Sequence, residues 1–363
     1  MFKKTLKKPD GRTLHLFSRT PIPDDIVPTN PKHQDINATP HMRWHPLRQE
    51  WVIYASHRQN RTFLPPKNYS PLAVSAMEDF PTEMPKGNYE MAVFENLFPS
   101  MNLHKTPVPK LNVETKPSTG ICEVVVFTQD PDTSLGDLPL SRVRLVLEVW
   151  ADRTKELGAH KEIQYVMPFE NRGVEMGVTL HHPHGQIYAY SFIPPVQTLI
   201  MNSMKDFYLK NKKGLLEEMI EEESREGTRV LFETEHAIAF IPVCARYPYE
   251  TWIAPKRRAS YLNDLTNEEI HDLALVLKTV LMKFDKLWDR PFPYLMTLFQ
   301  APTDEGSHQD KHLHFLITPP YRTKDRLKYL AGTELGAGVF VNDSLPEEKA
   351  AELKAVEVEV FHE

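Results

Sequence analysis

Three polar side chains alternate in the run from Leu180 to Tyr190: His182, His184 and Gln186. In an extended chain, residues two apart project to one face. Pro183 excludes a helix interior and argues for a strand start or an edge. Gly185 removes a side chain and lets a ligand approach the backbone closely. The imidazole of His184 is a good nucleophile toward phosphorus and a good leaving group afterwards. Attack at a nucleotide α-phosphate gives a nucleotidyl-histidine and splits transfer into two steps. The attacking nitrogen must be unprotonated, so a second group has to fix the tautomer. His182, or a backbone carbonyl near it, is placed to do so. Gln186 can donate a hydrogen bond to phosphoryl oxygens as charge develops. The plainer alternative is a set of buried, satisfied polar residues, and His-Pro-His-Gly-Gln in one strand makes that the weaker reading.

Phosphate needs cations. Arg58 and Arg61 follow the strand-like run Trp51 to Ala55 and can grip phosphate oxygens as forked donors, or stand as exposed loop arginines. Asn96 can read a base edge and Phe98 can pack on the ring; an ordinary turn with a core phenylalanine fits the same residues. Zinc is a further alternative, through His181, His182 and His184 or through His308, His312 and His314. Structural zinc usually recruits a Cys-x-x-Cys pair, and this chain has none.

These residues need elements to hold them. Strands are expected over Trp51–Ala55, Tyr89–Phe94, Glu123–Thr128 and Ile163–Phe169, and then in the His-Pro-His run. A long loop is expected over 62–88, and an extended arm over 1–40. A helix after Asp137 places Val143, Val146, Leu147 and Trp150 on one face. The second half repeats this order. Glu250 to Pro255 is a strand, and a helix after Asp264 carries a capping box at Thr266 and Glu269. His312-Leu313-His314 lies 130 positions after His182-Pro183-His184. The near-constant offset indicates an internal duplication. The second copy lacks the glycine and the glutamine, so one active phosphate site is expected per chain. One helical segment is expected over about 197–224. A last helix is expected from Ser344, with Glu347 completing a capping box.

With 363 residues the chain can form two medium domains. Its formal net charge of −6 argues against a general nucleic-acid binder. The basic opening Met1 to Lys8 is followed by no apolar run, so neither a secretory signal nor a membrane span is read. Two distant cysteines, Cys122 and Cys244, exclude a disulfide framework and make the cytoplasm the default.

The motif His182-Pro183-His184-Gly185-Gln186 resembles the signature of the galactose-1-phosphate uridylyltransferase family, a branch of the histidine-triad superfamily. The likeness extends to Arg43-Trp44-His45-Pro46-Leu47, Trp51-Val52-Ile53-Tyr54, His57-Arg58 and Arg61. Further on it includes Phe169-Glu170-Asn171-Arg172-Gly173, Glu233-Thr234-Glu235-His236, Pro248-Tyr249-Glu250-Thr251 and Gly332-Thr333-Glu334. It covers roughly residues 40–361. The resemblance implies an α+β fold of two fused histidine-triad-like repeats, antiparallel sheets with packed helices. The expected division is an arm (1–40), a first repeat with the active motif (41–195) and a second, degenerate repeat (196–363).

It also implies a ping-pong reaction, in which UDP-glucose uridylylates the protein and galactose 1-phosphate takes the group. By resemblance His184 is the nucleophile, His182 its support and Gln186 the phosphoryl contact. Arg58 and Arg61 bind phosphate, Asn171 and Thr179 line the nucleotide phosphates, and Asn96 and Phe98 fall at the uracil; Gly185 stays a substrate-binding candidate through its open backbone. Lys328 and Glu334 align with hexose-phosphate contacts that come from the neighbouring subunit of a homodimer. The family's zinc set is incomplete here, since only His182 remains of it. In the second metal set, Ile200 and Phe299 replace two ligands. No cofactor is therefore expected; the expected partners are UDP-glucose, galactose 1-phosphate and a second copy of the chain in a homodimer, with no nucleic acid and no membrane. The alternatives are an adenylyl-sugar phosphorylase with the same His184 chemistry, a nucleotide-binding protein without turnover, and a structural metal protein.

Overall fold

The computed structural model describes residues 1–32, 39–60, 65, 70–75, 81–104 and 107–360. The chain divides into two compact units. The first comprises Met1–Thr133, Arg153–Pro168 and Thr179–Pro194; the second comprises Ser134–Asp152, Phe169–Val178 and Pro195–Glu363. The division does not follow a single cut near residue 195.

In the first unit an antiparallel sheet runs in the order Phe2–Lys7, Thr13–Ser18, Met91–Glu95, Gly120–Val126, His184–Tyr190. The β-branched run Val124-Val125-Val126 lies in an interior strand, paired on both sides with Met91–Glu95 and His184–Tyr190, as suits its composition. Residues 1–40 were expected to form an arm, yet they contribute the first two strands, and Leu14, Leu16 and Phe17 are fully buried. The hairpin supplies the apolar face, and lysines 3, 4 and 7 polarise the edge strand. A second, three-stranded sheet orders Glu50–Tyr54, His41–His45 and Thr115–Pro117. Arg153 and Glu123, both buried, close a two-pronged ion pair at 2.7 and 3.0 Å. Of the expected loop 62–88, the described part includes a bridge between Val74 and Met84.

In the second unit Tyr294–Phe299, His314–Thr318, Thr251–Pro255, Ala237–Phe240 and Val230–Glu233 pair antiparallel in that order. The helix Asn267–Leu287 begins where its capping box predicts: Thr266 accepts from the Glu269 amide, and Glu269 accepts from the Thr266 amide at 2.8 Å. Its face of Ile270, Leu273, Ala274, Leu277, Leu281 and Phe284 is buried. On the helix Leu140–Gly158, the stripe Val143, Val146, Leu147 and Trp150 is fully buried as expected.

Two helix expectations need correction. The segment expected as one helix over 197–224 is two, Pro195–Asn211 and Leu215–Glu226. Lys212 at φ 58° and the following Gly214 break it. The last helix is Pro346–Lys354, without a Ser344 cap. Pro346 fits the first helical position, and Ser344 is instead hydrogen-bonded to the Asn342 side chain. No helix among the described residues is long and apolar enough to cross a membrane.

Candidate functional site

The strand that carries the motif is His184–Tyr190, and its burial alternates along its length. Gly185, Ile187 and Ala189 turn into the sheet; His184, Gln186, Tyr188 and Tyr190 stay half-buried on the other face. His182 does not share that strand, contrary to expectation. Pro183 has no amide hydrogen to give a ladder, and only its carbonyl is used, accepting from Phe127. His182 sits in the bend before the strand, buried, with Nε2 2.8 Å from the Thr128 carbonyl.

This bend sets the chemistry of His184. Its Nδ1 lies 2.7 Å from the backbone carbonyl of His182. A carbonyl only accepts, so the proton sits on Nδ1 and the lone pair on Nε2. Burial pushes the His184 pKa below its ordinary 6.5, with partial opposition from the hydrogen bond to the carbonyl. The ring is therefore neutral at neutral pH, with a nucleophilic Nε2. His182 supports it through the main chain, since it is the carbonyl of His182 that touches the ring. Burial also lowers the pKa of His182, and its Nδ1 is buried without a partner.

Arg58 lies in the short 3-10 helix Ser56–Asn60, and its Nη1 donates to the Phe98 carbonyl at 2.7 Å and to the Tyr188 hydroxyl at 3.4 Å. Neighbouring His57 has its Nε2 2.9 Å from the Pro99 carbonyl. Asn96 explains why those carbonyls are presented. Its Oδ1 accepts from the Phe98 amide at 2.8 Å, closing an Asx turn. The acceptor of Asn96 is thus spent on the loop, and what Phe98 presents to Arg58 is its carbonyl. Thr179 is half-buried in the loop before the motif. Arg61 lies outside the described residues.

Asn171, Lys328 and Glu334 belong to the second unit. The Oδ1 of Asn171 is buried with no hydrogen-bond partner. Lys328 and Glu334 are both buried and paired at 3.3 Å; Glu334 also accepts from the amides of Ala331 and Val341.

Beside Arg58 and Tyr188 opens a cavity of about 1410 Å³, walled also by Arg43, Tyr54, Ser100 and His41. Sequence reasoning missed Tyr188. The signal was present, since Tyr188 continues the same alternation two residues past Gln186.

Family models match most of the chain. Galactose-1-phosphate uridyl transferase, N-terminal domain, matches residues 29–194, and the C-terminal domain of the same name matches 200–363. A galactose-1-phosphate uridylyltransferase of Thermotoga maritima is 41% identical over 323 residues, 88% of this chain and 99% of that protein. One from Streptomyces lividans is 35% identical, covering 88% of each. Among solved structures, a uridylyltransferase superposes with a TM-score of 0.76 at 32% identity, over 87% of this chain and 97% of the other.

Proposed function

The chain belongs to the galactose-1-phosphate uridylyltransferase family, and on that premise we propose that it carries a uridylyl group from UDP-glucose to galactose 1-phosphate on His184. The observation that carries this reading is the 2.7 Å contact between His184 Nδ1 and the His182 carbonyl, which leaves Nε2 as the free base. The Nε2 lone pair attacks the α-phosphorus of UDP-glucose. The bond from that phosphorus to the bridging oxygen breaks, and its electron pair leaves with glucose 1-phosphate. A phosphate oxygen of galactose 1-phosphate then attacks the same phosphorus. The P–N bond breaks, returning the pair to Nε2 and giving UDP-galactose. The proton stays on Nδ1, donated in a hydrogen bond to the His182 carbonyl throughout, so neither half-reaction requires a proton to leave the ring.

Gln186 donates to the phosphoryl oxygens as charge builds. Arg58 and Arg61 hold phosphate, Asn171 and Thr179 contact the nucleotide phosphates, and Asn96 and Phe98 meet the uracil. Lys328 and Glu334 serve the hexose phosphate of a neighbouring subunit in a cytoplasmic homodimer built on two histidine-triad-like repeats. No metal takes part in this reading. The zinc set that the resemblance implies does not fit the residues present: no cysteine lies between Arg61 and Cys122. No three His, Cys, Asp or Glu among the described residues come together to hold a metal.

The test is the intact mass of the protein after incubation with UDP-glucose alone, beside His184→Ala. A single uridylyl adduct is expected on the parent, absent from the variant and discharged by galactose 1-phosphate. An adduct from ADP-glucose and none from UDP-glucose would move the chain to adenylyl chemistry. No adduct from either would leave a binding protein without turnover.

A further inference from the structure

We propose that Tyr188 is a positioning residue for the transfer, its hydroxyl and the Phe98 carbonyl together fixing the guanidinium of Arg58 for the substrate's phosphate. This rests on the uridylyl-transfer reading above. Four observations converge on it, all within the first unit.

First, Tyr188 projects to the same face of the strand as His184 and Gln186. Any group held by its hydroxyl is therefore held on the side where the nucleophile stands. Second, Arg58 has one nitrogen, Nη1, shared between the Phe98 carbonyl and the Tyr188 hydroxyl. Two anchors on one nitrogen leave the outer donors of the fork for a ligand.

Third, the anchors are themselves held. The Tyr188 and Tyr190 rings meet in a T-shaped contact at 6.1 Å and 63°. The Phe98 carbonyl is presented by the turn that the Asn96 side chain closes. Burial raises the Tyr188 pKa, so the hydroxyl keeps its proton across the working range. Fourth, Arg58 and Tyr188 line the 1410 Å³ cavity, whose described lining holds a second guanidinium, Arg43, and no carboxylate. Such a wall is complementary to an anion. Arg43 is pinned too, donating through Nε to His41 at 3.0 Å and lying 4.0 Å over the Tyr54 ring.

The physical gain is pre-organisation. A free arginine side chain loses rotamer freedom when it binds phosphate, and that loss subtracts from affinity. Anchoring the guanidinium beforehand shifts the loss to folding. Tyr188→Phe removes the hydroxyl and keeps the ring packing, so it tests this role with little change in volume.

The experiment is a double-mutant cycle on single-turnover uridylylation of His184 by UDP-glucose, in the parent, Tyr188→Phe, Arg58→Ala and the double variant. Tyr188→Phe is expected to raise the half-saturating UDP-glucose concentration by about fivefold, the scale of one hydrogen bond. Its thermal midpoint should stay at the parent value. In the Arg58→Ala background the same change should have no further effect. Equal losses in both backgrounds, or no loss in either, overturn the positioning role. An unchanged cycle with a lowered midpoint would make Tyr188 a packing residue only. If the parent itself forms no adduct with UDP-glucose, the uridylyl reading falls and this inference falls with it. An adduct on the parent with additive losses removes the inference alone.

Discussion

The two His-x-His pairs share one backbone frame and differ in what surrounds the second histidine. In both units the first histidine directs Nε2 at a carbonyl 2.8 Å away, that of Thr128 for His182 and of Pro255 for His312. In both, the second histidine opens a strand with Nδ1 on the carbonyl of the first, at 2.7 Å for His184 and 3.2 Å for His314. Beyond the frame they diverge. His314 is only 5% exposed, stacked on Phe299 at 5.0 Å and 2°, and lies 5.8 Å from the Trp252 ring. Trp252 pairs with Leu316, whereas in the first unit Val124 pairs with Gln186. Two apolar rings and a leucine convert the same imidazole into a core plug. The frame selects the tautomer, and the neighbouring side chains decide whether that tautomer meets a substrate.

The largest effect should come from deleting each second histidine in turn. His184→Ala is expected to abolish the uridylyl adduct, a loss of at least about a thousandfold in rate. His314→Ala should keep the adduct and lower unfolding free energy by about 2–3 kcal/mol through the lost aromatic stack. Denaturant unfolding beside intact-mass measurement checks both; loss of the adduct in a folded His314→Ala protein would break the comparison.

Gln186→Leu places the second unit's residue into the first. It should slow both half-reactions by about a hundredfold while adduct still forms, as expected for one lost phosphoryl donor. Stopped-flow or quench kinetics with UDP-glucose reads it, and an unchanged rate would show that the glutamine is not what distinguishes the two strands.

Trp252→Val performs the reverse change by opening the second unit. It should cost about 3 kcal/mol of stability. The pKa of His314, now pushed down to about 4 by burial, should rise toward 6.5. Titration by NMR of the imidazole decides it; a pKa still near 4 would mean that the tryptophan is not what excludes water.

The smallest effect is on pH dependence. In the proposed transfer His184 reacts as the neutral ring, and its pKa is lowered, so the uridylylation rate should hold through neutrality and fall only below the ordinary 6.5. His312 and His314, each lowered to about 4, affect stability instead. Between pH 6.5 and about 4 the unfolded chain binds these protons and the folded chain does not. Stability should therefore drop as pH falls through that window, at up to about 1.4 kcal/mol per unit for each ring. Chemical denaturation at several pH values measures it, and a flat profile there would count against the buried, neutral pair.

Much of this was legible because local chemistry and global fold agree. Thr266 and Glu269 cap a helix that carries its own apolar face, and Val143, Val146, Leu147 and Trp150 declare theirs by spacing alone. Legibility failed where a competing local contact won. Glu347 lies three residues after Ser344, but Pro346 and the Asn342 side chain claim that corner. Nothing in the polar run Phe2 to Lys7 shows that Leu14 and Leu16 opposite it are core. At the site, the types and spacing of His184 and Gln186 were readable. For the tautomer the sequence left two candidates, the His182 side chain or a backbone carbonyl near it, and the structure has the carbonyl; the turn closed by Asn96 and the contact of Tyr188 with Arg58 join residues whose meeting only the fold decides.

The interleaved division of the chain also bears on how the protein is made. The first unit needs residues up to Pro194, while Ser134–Asp152 and Phe169–Val178 belong with residues that follow them. During synthesis these two segments emerge well before their partners in the second unit. Trp150, fully buried in the finished protein, must wait for Phe315, the ring it packs against, encoded more than a hundred residues later. Translation at about 5–20 residues per second turns that separation into seconds of exposed apolar surface on each nascent chain.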